Sequence, residues 1–436
     1  MSYATAYNRK ANSEINKLYP EDRTIHEWYR FVLSFPPHLV RDYLKRFQLN
    51  SHHRVLDPFC GTGTVLVESK KLGIPSIGIE ANPLAHFASQ TKVDWNIDPQ
   101  LLLEHTSSIA REAVKRLQAE GIEDEPFFQV IEQMPYPLRT LPEERMQLLL
   151  TNSISPLPLH KTLVLLDCME EFRDERYYQH EQLALAKALV CSISNLQFGP
   201  EVGVGPAKTD TPVVSAWLNG IRVMASDLCK VQSGKQTPSE VHLADARQIS
   251  DVLEPCSIDA VITSPPYPNE KDYTRTTRLE SVLLGFLHNK AELQALKRNL
   301  LRSNTRNVYK GDNDDQWIAA HQEIQRIAEA IEARRVELGK TSGFERLYSR
   351  VTKLYFGGIA RHLESLHTVL RPGARLAYVV GDQASYLRIP IPTGQLVADI
   401  AQSLGYELVS IDLFRTRFAT ATKAQLREEV VVLRRP

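Results

Sequence analysis

The sequence lacks the features that mark membrane, secreted and metal-binding proteins. None of its 436 residues lies in an apolar run of the ~18 residues that span a bilayer, and the N-terminal segment has no apolar centre like that of a signal peptide. The five cysteines are scattered and form no CxxC pair, so neither a disulfide framework nor a zinc site is indicated. These absences predict a reduced, cytoplasmic protein without a metal.

Net charge is absent as well, because 52 lysines and arginines balance 52 acidic side chains. A polyanion would therefore have to be met by a local basic surface and not by the field of the whole molecule. With 43% hydrophobic residues the chain can bury a large core, and its length fits two or three domains or one domain with large insertions.

The stretch Arg54 to Ala81 has the pattern of one nucleotide-binding half of a doubly wound sheet. A buried strand leads into the turn Gly61-Thr62-Gly63-Thr64, whose glycines let backbone N–H groups approach a ligand. A helix and a second apolar strand follow. Glu80 ends that strand where this architecture places a carboxylate for ribose hydroxyls. A nicotinamide fingerprint would need a third glycine at Leu66, so that cofactor class is disfavoured.

A second informative stretch begins where the apolar strand Ile258 to Thr263 runs into Ser264-Pro265-Pro266-Tyr267. The exocyclic amine of a base is a poor nucleophile because its lone pair is delocalised into the ring. Acceptors that draw its N–H groups out of the ring plane localise that pair. The Ser264 hydroxyl and the Pro265 carbonyl are candidate acceptors, and the locked φ angles of the prolines fix the carbonyl's direction. Tyr267 offers a ring face for an extruded base.

Together, Asp57-Pro58-Phe59-Cys60-Gly61-Thr62-Gly63-Thr64 and Thr263 to Tyr267 resemble the two main motifs of the S-adenosylmethionine-dependent DNA amino-methyltransferases. Thr-Ser-Pro-Pro-Tyr is the form most typical of cytosine-N4 enzymes. Adenine-N6 enzymes more often carry Asp or Asn where Ser264 stands, although some carry Ser. The resemblance covers roughly residues 25–95, 240–285 and 350–436. It implies a class I, Rossmann-like α/β fold with a doubly wound, seven-stranded mixed sheet and two large, mostly helical insertions.

The resemblance also implies the residues of a site for S-adenosylmethionine. The motif upstream of the first strand would close over the methionine end of the cofactor, the glycine loop would wrap the methionine part, Glu80 would hold the ribose, and Asp245 would accept from the adenine amino group. A helix covering the sheet edge and a surface aspartate starting a helix are the plain alternatives for the first and last of these. The implied cofactor residues are Tyr29, Ser34, Pro36, Asp57, Pro58, Phe59, Cys60, Gly61, Thr62, Gly63, Thr64, Glu80, Ala81, Asn82, Asp245 and Ala246, and the catalytic residues are Ser264, Pro265, Pro266 and Tyr267.

Two stretches outside the motifs are candidates for contact with DNA. Residues 286–311 hold six basic side chains against one acid, and the segment after Tyr267 adds others. A solvated helix face would show the same charge pattern. The predicted DNA-binding residues are Lys271, Arg275, Arg278, Lys297, Arg298, Arg302 and Arg306. Arg415, Arg417 and Lys423 lie near the last strands, in a loop that either touches the DNA backbone or is an exposed hairpin.

We divide the chain into five parts. Residues 1–97 form the cofactor-closing segment and the start of the core, 98–239 a helical insertion, 240–285 the core with the catalytic motif, 286–345 a basic helical insertion and 346–436 the end of the core. Either insertion is a candidate for reading the target sequence. The three glycines and two prolines of residues 198–208 predict an irregular loop, in which Lys208 either reaches a phosphate or belongs to a plain connector.

The first hypothesis is a cytosine-N4 methyltransferase that flips its base out of double-stranded DNA, with a restriction endonuclease as a possible separately encoded partner. Adenine-N6 methylation is the nearest rival, followed by RNA guanine-N2 methylation and by a DNA-binding subunit that has lost catalysis. Cytosine-C5 methylation needs a nucleophilic cysteine after the catalytic strand, whereas Pro255-Cys256 lies before it. We find no nuclease motif.

Overall fold

The computed structural model describes residues 15–31, 34–125, 137–199, 201–269, 271–419 and 424–436. The strands in these residues are β1 (Val55–Asp57), β2 (Ser76–Glu80), β3 (Leu196–Phe198), β4 (Val202–Val204), β5 (Ser239–Leu243), β6 (Ile258–Thr263), β7 (Leu370–Gly381), β8 (Glu407–Ala419) and β9 (Ala424–Arg434). The α-helices are α1 (Arg23–His26), α2 (Pro37–Arg46), α3 (Thr64–Lys71), α4 (Pro83–Val93), α5 (Pro99–Ala119), α6 (Glu143–Met146), α7 (Pro156–Glu171), α8 (Tyr178–Ala188), α9 (Val214–Lys230), α10 (Tyr273–Thr276), α11 (Arg278–Leu283), α12 (Lys290–Asn299), α13 (Gln322–Glu337), α14 (Tyr348–Val369) and α15 (Thr393–Ser403).

Seven strands form one mixed sheet in the order β5-β2-β1-β6-β7-β9-β8. The first five of these are mutually parallel, and β9 runs antiparallel to both of its neighbours. The chain builds outward from β1 in one direction and then, starting at β6, in the other. A crevice forms at the carboxyl ends of β1 and β6, where this order reverses. The predicted fold class, a doubly wound α/β fold with a seven-stranded mixed sheet, is confirmed.

The central strands alternate between two hydrophobic layers, as a sheet covered on both faces requires. Val55, Ala260 and Val379 face one layer, and Leu56 and Val261 face the other. The first layer also holds α3, α4 and the helices of the 98–239 insertion, so that insertion shares its core with the sheet. The second layer is formed by α13, α14 and α15. The five-part division of the chain stays a prediction.

The predicted irregular loop at residues 198–208 is partly wrong, because Leu196–Phe198 and Val202–Val204 pair as a small antiparallel hairpin. Gly203 faces open space in this hairpin, and pairing across the turn, which no local pattern encodes, makes the strands. Lys208, a candidate phosphate ligand, donates instead to the Ser192 carbonyl at 2.7 Å. The segment therefore contains a short hairpin, whose turn residue Gly199 accepts from Lys271 at 2.6 Å.

None of the helices in the described ranges combines the length and the apolarity needed to cross a membrane.

Candidate active site

A cavity of about 270 Å³ opens at the carboxyl ends of β1, β2 and β6, and residues of both sequence motifs line it. Pro58 of the glycine-loop motif and Pro266 of the catalytic motif share its wall. The two loops are joined directly, since the Thr263 hydroxyl donates to Asp57 Oδ1 at 2.6 Å. Two stretches about 200 residues apart in sequence, at adjacent parallel strands, therefore meet at one edge of the sheet.

The glycine loop is held open by its own backbone and by Glu80. Gly61 and Gly63 have φ angles of 51° and 80°, in the left-handed region that favours glycine. Glu80 Oε2 accepts from the Gly61 N–H at 2.9 Å, and its Oε1 accepts from the Asn82 N–H at 2.8 Å. Buried Lys92 donates to the Thr62 carbonyl at 2.7 Å from below. The loop is thus fixed on both sides before any ligand arrives.

Burial shifts the titration of the charged groups around this loop. It raises the pKa of Asp57 to about 7, against which the hydrogen bonds from Thr263 and the Phe59 N–H act. It likewise raises the pKa of Glu80, and it lowers the pKa of Lys92 to about 7. Desolvation is the largest cause of all three shifts, and none of the three groups has an ion-pair partner within 4 Å among the residues that the structure describes. A cation bound at this loop would favour the ionised form of the two carboxyl groups and disfavour the protonated form of Lys92.

The segment before α2 packs over the loop. Phe31 lies 3.9 Å from where a Cβ on Gly61 would stand, and its ring contacts Tyr273 with 5.6 Å between centroids. The Tyr29 hydroxyl donates to buried Glu280 at 2.6 Å, while Lys92 donates to the Tyr29 carbonyl at 3.2 Å. Phe31 and Ser34 therefore face the cavity, and Tyr29 fastens the segment to α11 from behind.

The catalytic motif is oriented by the last strands of the sheet. Ser264 Oγ donates to the Val379 carbonyl at 3.2 Å. The lone pairs of the serine hydroxyl oxygen therefore remain as acceptors. The Tyr267 hydroxyl donates to Glu428 Oε1 at 2.9 Å. The ring packs over Gly381, where a Cβ would come within 2.8 Å of it, so only glycine admits the ring there.

Strand register explains this arrangement around Tyr267. Gly381 on β7 pairs with Glu428 on β9, and Glu428 in turn pairs with Arg415 on β8. Arg415 Nε lies 2.5 Å from Glu428 Oε2 and fixes the carboxylate that receives the tyrosine hydroxyl. Arg417 follows two residues later on the same face, and it also lines the cavity.

Asp245 lies after β5 on the far side of the cavity. It caps the following turn by accepting from the Arg247 N–H, and its carboxylate takes two further bonds from the Arg247 guanidinium. Arg247 also donates to Asp314 at 2.5 Å, which joins this edge of the cavity to the 286–345 segment. Asp245 starts this helical turn, as the plain alternative predicts, and it also lines the cavity, so its role toward a cofactor stays a prediction.

The cavity brings together most of the predicted site residues. Of these it contacts Ser34, Pro58, Phe59, Cys60, Gly61, Thr62, Thr64, Glu80, Ala81, Asn82, Asp245, Ala246, Ser264, Pro266, Tyr267 and Lys271. Tyr29, Pro36, Asp57, Gly63 and Pro265 are not among its lining residues. Asp57 supports the loop from beneath. Gly63, just before α3, packs against Ser89 of α4. The ligand roles of all these residues stay predictions.

The predicted DNA-binding residues divide by exposure. Arg302 is 4% exposed and donates to Asp312 and to backbone carbonyls, so its assignment to a DNA surface is corrected to an internal brace. Lys297 pairs with buried Asp272 at 3.0 Å. Arg278 donates to the Leu148 and Thr274 carbonyls. Arg275 is half-buried, while Arg298 and Arg306 are exposed and stay candidates for phosphate contact.

Sequence reasoning did not single out several residues that the fold brings to the cavity. They are Phe35, Gln383 and Glu428. Gln383 had an available signal, because it closely follows the end of a parallel strand, as the motif residues do. Glu428 had none, since only the antiparallel pairing of β9 with β7 brings it there.

The residues present fit S-adenosylmethionine. The glycine loop offers backbone N–H groups beside a carboxylate, and three buried polar atoms at it have no partner among the described residues: Asp57 Oδ2, Thr62 Oγ1 and Asn82 Nδ2. Buried polar atoms in folded proteins are nearly always paired, so their pairing awaits a polar ligand. No cluster of three or more potential metal ligands occurs in the described part of the chain.

Comparisons with known proteins agree with this geometry. The N6/N4 methyltransferase family model, described as DNA methylase, matches residues 4–90. The Type II methyltransferase M.BsoBI of Geobacillus stearothermophilus is 27% identical over 98% of this chain and 87% of its own length. The Type II methyltransferase M.AvaI of Anabaena variabilis is 23% identical over 97% and 88%. The resemblance to the DNA amino-methyltransferases is confirmed.

Among solved structures, TrmN from Thermus thermophilus aligns with 95% of this chain at 11% identity and a TM-score of 0.33, and this chain spans about half of that protein. A similarity this low carries no argument about function. The resemblance to the DNA amino-methyltransferases, together with the observed sheet order, implies that S-adenosylmethionine is the methyl donor.

Proposed function

We infer, from the confirmed resemblance to the DNA amino-methyltransferases, that this chain transfers a methyl group from S-adenosylmethionine to an exocyclic amine of DNA, and we propose that the acceptor is N4 of a flipped-out cytosine. The observation that carries the proposal is the single cavity that holds both the glycine loop and the Ser264 to Tyr267 loop. A donor and a base can approach each other only if their two loops share one space.

The proposed roles follow from the chemistry of each group. The cofactor, when bound, supplies an electrophilic methyl group on a sulfonium. Ser264 Oγ and the Pro265 carbonyl accept the two N–H groups of the amine, so the nitrogen lone pair turns out of the ring toward the methyl group. With the cofactor bound, the nitrogen would form the new bond to the methyl carbon, and the carbon–sulfur bond would break with its electron pair going to sulfur. The nitrogen then loses a proton to water.

Tyr267 would hold the base by stacking. Its hydroxyl is fixed by Glu428, its ring packs over Gly381, and the residue lines the cavity in which a base would bind. Base–aromatic stacking contributes roughly 1–3 kcal/mol, which helps to offset the cost of unstacking the base from the duplex. A neutral serine at position 264 accepts from a cytosine amine without placing a negative charge against it, and the typical cytosine-N4 motif supports this choice over adenine.

The test is incubation with methyl-labelled cofactor and plasmid DNA, followed by digestion to nucleosides. We expect the label on N4-methylcytosine, with Ser264→Ala reducing its rate. Label on N6-methyladenine would contradict the choice of base, and label on RNA alone would contradict the choice of DNA. A restriction endonuclease that cuts the same target sequence would be the matching partner, and plasmid protection from it would identify that partner.

A further inference from the structure

We propose that Arg417 reads the ring edge of the flipped base and so sets the preference for cytosine, as a specificity-determining residue distinct from the Ser264 to Tyr267 motif. This inference rests on the proposed function. Its geometric basis is a half-satisfied guanidinium at the wall of the cavity. Arg417 Nη2 donates to the Asp382 carbonyl at 3.0 Å, whereas its Nε is buried and has no partner among the described residues.

The position of Arg417 relative to Tyr267 points to a base and not to a phosphate. Both side chains converge on Gly381, since a Cβ there would lie 2.8 Å from the Tyr267 ring and 3.5 Å from Arg417 Nη2. A base stacked on Tyr267 therefore lies beside this guanidinium. Arg417 lines the cavity, so a ligand bound there can supply an acceptor for its guanidinium. A phosphate of the DNA backbone would remain at the rim.

The neighbouring arginine does not share this property. Arg415 also lines the cavity, but its Nε is paired with Glu428 at 2.5 Å, and its role is to hold the carboxylate under Tyr267. Leaving a buried donor unpaired costs free energy. An unpaired Nε–H at the cavity wall is therefore expected where a ligand supplies its acceptor. Arg417 is the one of this pair with a buried donor to offer.

Cytosine matches these donors better than adenine does. With its amine held at Ser264, cytosine presents two adjacent acceptors along the same edge, ring N3 and then O2. Adenine presents one acceptor, N1, and then a carbon-bound hydrogen. A guanidinium offers several N–H groups in a planar fork, which suits two adjacent acceptors. We therefore expect Arg417 to favour cytosine by pairing with N3 and O2.

The test compares two duplexes that contain the target site once its sequence has been mapped on methylated plasmid. One carries cytosine at the methylated position, and the other carries 3-deazacytosine, which keeps the amine and replaces ring N3 by C–H. For the unmodified protein we expect kcat/KM to fall by about tenfold or more on the analogue. For Arg417→Ala the ratio between the two duplexes should shrink severalfold. Any change in intrinsic amine reactivity is common to both proteins and cancels in this comparison.

Two further variants make the result decisive. Arg417→Lys keeps a charge and one donor, so it should retain part of the discrimination that Arg417→Ala loses. Arg434→Ala, near the far end of the same hairpin and paired with Glu407 at the surface, should discriminate as the unmodified protein does. Cofactor binding measured by calorimetry shows that each variant is folded.

Arg417→Ala losing the same factor on both duplexes would overturn this inference and indicate a phosphate or structural role. Equal rates of the unmodified protein on the two duplexes would overturn it as well. In both cases N4-methylcytosine is still formed and the proposed function stands. Formation of N6-methyladenine alone would overturn the proposed function together with this inference.

Discussion

At the scale of single residues, Tyr267 combines two proposed roles. Its hydroxyl orients the ring through a hydrogen bond, and its ring stacks on the base. Tyr267→Phe removes the bond to Glu428 and keeps the ring. We expect kcat to fall by about three- to tenfold, because the hydrogen bond from the hydroxyl no longer fixes the ring plane. Tyr267→Ala should cost more, about 5- to 150-fold in kcat/KM, because stacking is lost too.

Tyr178→Phe is the matched control for this pair of variants. The Tyr178 hydroxyl makes the same kind of bond, to Glu170 at 2.8 Å, at the surface of the insertion. Its rate on DNA should equal that of the unmodified protein. Equal rates for Tyr267→Phe and Tyr267→Ala would contradict a role of the ring in stacking.

A second residue-scale prediction concerns Asp57, whose pKa is raised by burial to about 7. Between about pH 4 and pH 7 the folded protein keeps this proton while the unfolded chain has lost it. Folding thus takes up a proton in this window, so stability falls as pH rises through it. Asp57→Asn keeps an acceptor for the Thr263 hydroxyl but cannot ionise, so it removes this pH-dependent loss of stability. The stability of the variant relative to the unmodified protein should therefore rise between pH 5 and pH 8, by about 2–3 kcal/mol.

Urea unfolding at both pH values measures this difference. A stability difference that is the same at pH 5 and pH 8 would show that Asp57 does not titrate in this window.

At the scale of elements, α14 carries a close contact on which the cavity edge depends. A Cβ on Gly357 would stand 2.0 Å from the Asp314 carbonyl oxygen, which is backbone and cannot rotate away. Asp314 pairs with Arg247 and Arg361, and Arg247 pairs with Asp245. We expect Gly357→Ala to destabilise the protein by about 3 kcal/mol, despite alanine's better helix propensity, because the backbone on both sides must move.

Gly220→Ala in α9 is the control for this substitution. Its nearest neighbour is the Ala184 Cβ, 3.3 Å from the added atom, and a small shift of α8 relieves that contact. Its unfolding midpoint in urea should stay close to that of the unmodified protein. If Gly357→Ala unfolds at the same urea concentration, the 301–315 segment is free to withdraw from α14.

At this scale the sequence predicts best those elements whose geometry is set by residues close together in the chain. The strand, glycine turn and helix around Gly61 follow one another directly, so their order sets their geometry, and the joining of the two loops follows from the rule for parallel strand ends. The β3–β4 hairpin and the place of Glu428 depend on pairing across a turn or across the sheet. Periodicity contains no information about such partners, which is why these elements were missed. The internal ion pair of Arg302 was missed because charge counts do not reveal burial.

At the scale of the whole molecule, positive and negative charges balance. The salt dependence of the DNA-binding constant should therefore reflect local phosphate contacts. With no net field to attract the duplex, each phosphate contact should contribute a slope of about −0.9 to the logarithm of the binding constant against the logarithm of salt. Arg298 and Arg306 are exposed near the cavity wall, and Arg306 makes an exposed ion pair with Glu201 at 3.5 Å. Replacing either by alanine should weaken binding and reduce the slope by about one.

Arg326→Ala is the control for the salt experiment, since this arginine is 69% exposed and paired with Glu323 on α13. Its helix packs on the layer of the sheet opposite the 98–239 insertion, so its removal should leave the slope unchanged. A loss of slope for Arg326→Ala equal to that for Arg306→Ala would mean that the duplex is bound by charge spread over the surface. Only a slope that changes with Arg298 and Arg306 alone places the duplex over the cavity that holds the two loops, because phosphate contacts set the register of a protein on DNA.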